Sequence, residues 1–74
     1  MQIIAFMHGS TLFIQTEWPV HHGRMRLLDQ AGMACAECQI HDVDFLSVPV
    51  NCPSGRYLIQ IRAEDEITEK YVYI

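Results

Sequence analysis

Apolar residues recur at every second position along most of this chain, and that alternation predicts strands rather than helices. Gln2 to Met7 is a short apolar run that His8-Gly9-Ser10 breaks as a turn. Thr11 to Trp18 alternates, with Leu12, Ile14 and Trp18 on one side and Thr11, Gln15 and Glu17 on the other. Pro19 to Gly23 reads as a loop. Arg24 to Leu28 is a strand with Met25 and Leu27 on one face, closed by a four-residue hairpin turn at Asp29-Gln30-Ala31-Gly32. Met33 to Ile40 returns as a strand, and Val43 to Val50 is extended, with Pro49 marking an edge. Arg56 to Ala63 and Ile67 to Ile74 form a last hairpin around Glu64-Asp65-Glu66. In its first strand Tyr57, Ile59 and Ile61 are expected inward and Arg56, Gln60 and Arg62 outward, the register that hides all three apolar groups.

Six or seven short strands, separated by frequent turns, predict an all-β chain folded as a small antiparallel β-sandwich. The helical competitor is Arg24 to Glu37, where Met25, Leu28, Met33 and Ala36 are spaced for one helix face; Gly32 in its middle counts against it. With 74 residues the chain is one domain, and a domain this small buries only about 60% of its unfolded surface. Such a size, with several strands and no leader, is expected of the C-terminal fragment of a longer exported protein.

Charge narrows the function classes. A net charge of −4 argues against a nucleic-acid surface, because phosphate binding needs clustered cations. Arg24, Arg26, Arg56, Arg62 and Lys70 are instead spread along solvated strand faces. No apolar run approaches the roughly 20 residues that span a bilayer, so membrane insertion is not expected. Met1 to Phe6 is apolar but lacks the basic flank and cleavage pattern of a signal peptide.

Three motifs carry a family resemblance. Leu28-Asp29-Gln30-Ala31-Gly32 pairs a leucine with a glycine-closed turn, and Pro53-Ser54-Gly55-Arg56-Tyr57-Leu58-Ile59 opens a strand through a Pro-x-Gly turn. Thr68-Glu69-Lys70-Tyr71-Val72-Tyr73-Ile74 sets a lysine before an alternating apolar end. In this order and spacing, and with Gly9 to Ile14 matching an early strand, the chain resembles the C-terminal sorting domains of the bacterial type IX secretion system, the Por secretion tails. It departs from them in lacking the asparagine-proline opening and a basic residue after Ile74. The resemblance implies an Ig-like sandwich without catalysis or cofactor, exported through the periplasm to the outer-membrane surface or beyond. It implies a protein partner, the outer-membrane secretion machinery, and a recognition surface at Asp29, Gly32, Pro53, Gly55, Tyr57 and Lys70. A generic β-sandwich adhesion or accessory domain is the alternative.

Other residues offer competing chemistry. Cys35-x-x-Cys38, His41 and Cys52 form a legitimate tetrahedral zinc set. On a strand, however, positions 35 and 38 point to opposite faces, so packed or surface thiols are the plainer reading, with a disulfide involving Cys52 as a further one. Cys38, lying opposite Cys35, is expected to be the exposed thiol. His21-His22 could bind metal or exchange protons, but adjacent residues in a loop diverge and favour a solvated role. Glu64-Asp65-Glu66 lacks the spaced oxygen ligands of a calcium loop. Ser10, Ser47 and Ser54 have no nucleophile-elbow context. Phe13, Trp18, Phe45 and the tyrosines could form a stacking surface, but tyrosine and tryptophan in strands usually serve the core with a polar tip outward, which is the expectation here. An unpaired edge strand offers a route to a homodimer.

Overall fold

A computed structural model describes residues 1–74, and every regular element in it is a strand. The strands are β1 (Ile3–His8), β2 (Thr11–Leu28), β3 (Ala34–Pro49), β4 (Arg56–Ala63) and β5 (Glu66–Tyr73). The all-β, antiparallel expectation holds. The count is five rather than six or seven, and the elements join one curled sheet.

Two expected breaks are strand interior, which accounts for the lower count. Pro19 to Gly23, expected as a loop, lies inside β2, and the break between Ile40 and Val43 lies inside β3. Both long strands bend there instead of stopping. The β2–β3 register shifts between Gln15 and Val20, so Pro19, which has no N–H to give, sits where no ladder bond is required. Thr16 fills the irregularity from inside. Its buried Oγ1 lies 2.8 Å from the Trp18 carbonyl and 3.1 Å from that of Asp44. Buried positions run Leu12, Ile14, Thr16 and Val20 across the irregularity, and the phase of the alternation changes only between Val20 and Met25. Trp18, expected inward with Leu12 and Ile14, lies inside the irregularity and is 48% exposed.

β2 organises the fold. Its first half pairs with β1, its second half with β4, and β3 runs beside both halves. β5 then pairs with β4 through the expected last hairpin, whose tip is Glu64-Asp65 rather than three residues, because Glu66 already pairs with Ala63. Because β2 and β3 bend, the sheet curls until β5 approaches β1, where Lys70 Nζ donates to the Ile3 carbonyl at 3.1 Å. The curl encloses Leu12, Ile14, Met25, Leu27, Ile59 and Ile61, all without solvent contact. Tyr57, Ile59 and Ile61 point inward as expected. Gly23 sits at the bend for a steric reason. A Cβ there would stand 2.6 Å from the Arg62 carbonyl oxygen and 2.9 Å from Val20 Cγ1, so only glycine lets β2 and β4 meet.

β3 pairs with β2 alone, leaving an edge along its other side, and Pro49 closes that edge. Asp42, at φ 54°, kinks the edge in the middle and places a charge there, with Asp44 two residues on. Kinks and charges both discourage pairing with another strand.

Candidate functional site

The Asp29 to Gly32 turn is built by its aspartate. The Asp29 carboxylate accepts from the backbone N–H groups of Ala31 and Met33, each at 2.9 Å. The Asp29 N–H donates to the Met33 carbonyl at 2.9 Å, and Gly32 N–H donates to the Asp29 carbonyl at 3.0 Å. The turn closes through a left-handed residue, Gly32 at φ 83°, a conformation that costs glycine little. Aspartate three positions before glycine is thus a self-contained turn, its carboxylate already engaged.

The Pro53 to Gly55 turn is held by other elements. Tyr57, buried in the core, donates its hydroxyl to the Pro53 carbonyl at 2.6 Å. Gly55 exchanges both backbone hydrogen bonds with Ile74, at 3.1 and 2.9 Å, so the end of the chain is stitched to the turn. A disulfide between Cys35 and Cys52 ties the residue before Pro53 to the start of β3.

These two turns lie side by side. Asp29, Gln30 and Ala31 face Ser54, Gly55 and Arg56 across a shallow cleft of about 370 Å³. A second cleft, of about 440 Å³, opens beside it. Leu28, Leu58 and Tyr71 form its apolar floor, and Asp29, Gln30 and Arg56 line its rim. The Arg56 guanidinium lies 4.4 Å over the Tyr71 ring, a cation–π arrangement that fixes the charge at the cleft mouth.

Of the residues expected at the recognition surface, Asp29, Gly32 and Gly55 line this end of the molecule, and Pro53 opens the turn there. Tyr57 supports it from beneath. Lys70 is not brought there; its ammonium is spent on the Ile3 carbonyl at the seam between β1 and β5. Arg56, Leu58 and Tyr71 line the same cleft and were not singled out by sequence. Their signal was the outward parity of β4 and β5, which gains meaning only once Leu28, Leu58 and Tyr71 are known to pair in one row.

The cysteines follow the disulfide reading rather than the plainer one of unpaired thiols. Cys35 and Cys52 are bonded to each other, and Cys38 is the one free thiol. The zinc set of Cys35, Cys38, His41 and Cys52 is therefore not assembled, and no three His, Cys, Asp or Glu side chains converge into a metal shell. The expected faces are also reversed. Cys38 stands opposite Met25 and packs half-buried against the core, whereas Cys35 is exposed. Reading the phase from Met33 caused the error: Met33 precedes β3 and is itself exposed, and Ile40 sets the inward parity. Burial pushes the Cys38 thiol above its ordinary range.

The aromatic residues divide. Phe13 and Phe45 do form a stacking surface, with Phe6, on the outer face of β1, β2 and β3, their centroids 5.3 and 5.8 Å apart. Tyr71 and Tyr73 are exposed as well. Compared with known proteins, the chain matches no family model and no curated protein sequence.

Proposed function

We propose that this chain is a non-enzymatic recognition module, a folded sorting address of the type IX kind that directs an attached protein across the outer membrane. One observation carries the reading. Three segments far apart in sequence meet at one pole: the Asp29 to Gly32 turn faces the Pro53 to Gly55 turn across a cleft, and the Gly55–Ile74 hydrogen bonds join the latter to the end of β5. They are the segments that carry the family likeness. Asp29 Oδ1 and the Tyr57 hydroxyl are both engaged in turn geometry. What is left for a partner is an apolar floor rimmed by Arg56, a composition suited to protein docking. In this reading the curled sheet is a reduced Ig-like sandwich that holds the pole rigid, and the module acts in the periplasm and at the cell surface.

The test fuses residues 1–74 to a periplasmic reporter in a host that has the secretion machinery and follows the reporter outside the cell. Export of the fusion is expected, and so is its loss in Arg56→Glu and in Leu58→Asp, both at cleft positions outside the core. Circular dichroism on each purified fusion checks that it remains folded. A folded wild-type fusion retained in the periplasm defeats the proposal. Export unaffected by either substitution means the pole is not the surface that is read.

A further inference from the structure

Three of the four histidines meet where β2 and β3 bend. His22 and His41 are directly opposed across the two strands, with ring centroids 4.9 Å apart. His22 gives its carbonyl to the Glu64 N–H at 3.4 Å, on the side away from β3. The His22–His41 pair is therefore the narrow, non-hydrogen-bonded kind, in which facing side chains stand closest. Both residues are exposed, so neither imidazole is committed to the core. Asp42 completes the group in an unusual conformation. At φ 54° its carboxylate reaches His21 Nδ1 at 2.8 Å and lies 3.5 Å from His41 Nε2. Residues held in sparsely populated backbone regions concentrate at binding sites.

We propose that His22 and His41 form a two-imidazole site for a divalent transition-metal ion of the nickel, copper and zinc class. Metal–nitrogen bonds of about 2.0–2.1 Å place two imidazole nitrogens on one ion about 3 Å apart, a spacing that opposed rings at this separation reach by side-chain rotation. The protein supplies two ligands and water completes the shell. Asp42, held by His21, places a negative charge beside the ion. Arg24, Arg62 and Glu64 line the same groove as His22, so the surroundings are nearly balanced in charge. Selection therefore rests on imidazole ligation rather than on a negative field, and hard cations that require oxygen ligands are excluded. A bound ion clamps the bend in the β2–β3 hairpin. The site is independent of the pole with the two turns.

The experiment titrates Ni²⁺ into disulfide-intact protein at pH 7.5 by calorimetry, in a Cys38→Ser background that removes the free thiol. Paramagnetic broadening of backbone amides locates the ion. One Ni²⁺ per chain is expected, with broadening centred on His22 and His41 and no heat from Mg²⁺. Losing either ligand from a two-ligand site should weaken binding about tenfold or more, so His22→Ala and His41→Ala are both expected to do so. His8→Ala and His21→Ala should leave the affinity within about threefold. The exposed positions make these variants fold-neutral, which circular dichroism checks. Absence of Ni²⁺ binding, affinity unchanged in His22→Ala or His41→Ala, or broadening centred on His8 or on Met1 overturns the site.

Discussion

Removing the Cys35–Cys52 bond, as Cys35→Ala/Cys52→Ala, tests how the pole is held. The two residues are 17 apart in sequence, and closing a loop of that length removes denatured-state entropy worth about 3 kcal/mol at room temperature. Little else is lost on substitution, because Cys35 is exposed and Cys52 only partly buried. Against roughly 4 to 11 kcal/mol of total stability for a 74-residue domain, that is a large fraction. The loss should be global and local together, since Val50 to Gly55 belongs to no strand. It is anchored by the disulfide, the Tyr57 hydroxyl, the Gly55–Ile74 pair and a bond from Val50 N–H to the Ser10 carbonyl. Urea unfolding should give a lower midpoint with a somewhat steeper slope, because the unlinked denatured chain exposes more surface, and amide exchange at Gly55 and Ile74 should accelerate more than at Ile59. Alkylation of the unreduced, unfolded wild type should label one cysteine, Cys38, and label it slowly in the folded state, where burial holds the thiol protonated. Three labelled cysteines, or a destabilisation below about 1 kcal/mol, would refute the pairing and the entropy argument built on it.

Three further outcomes are expected. Tyr57→Phe should cost about 1 kcal/mol through the lost Pro53 hydrogen bond and Tyr57→Ala about 3 kcal/mol or more, measured by urea unfolding; equal stabilities would place the ring outside the core. Gly23→Ala should destabilise by about 1–3 kcal/mol, because backbone rather than a flexible side chain meets the new Cβ, and a neutral result would mean the bend is looser than drawn. The hydrogen bond with Asp42 raises the His21 pKa above 6.5, and its counterpart lowers that of Asp42. The histidine's contribution is full below its unfolded value and is lost as pH rises through the folded one. The aspartate's is present above its unfolded value and is lost as pH falls through the folded one. The pair therefore acts together between about pH 4 and 6.5. An NMR titration should show the His21 midpoint fall in Asp42→Asn, and an unmoved midpoint would remove the pairing.

Local chemistry wrote much of this fold into the chain. The Asp29 to Gly32 turn is legible because its aspartate and glycine satisfy it without outside help. The β4–β5 hairpin is legible because Tyr57, Ile59 and Ile61 can be hidden in one register only. Where the alternation is continuous, period 2 assigns the faces correctly. It fails between Thr16 and Gly23, where the β2–β3 register shifts and the buried positions of β2 pass from Leu12, Ile14 and Val20 to Met25 and Leu27 while the strand itself continues. Proline and glycine there look like chain breaks, yet they permit the bend that curls the sheet. The tertiary structure alone decided which cysteines meet, which histidines face each other and which three segments share a pole. Each of those depends on partners brought together by strand register and by the β2 bend, and no spacing along the sequence encodes them.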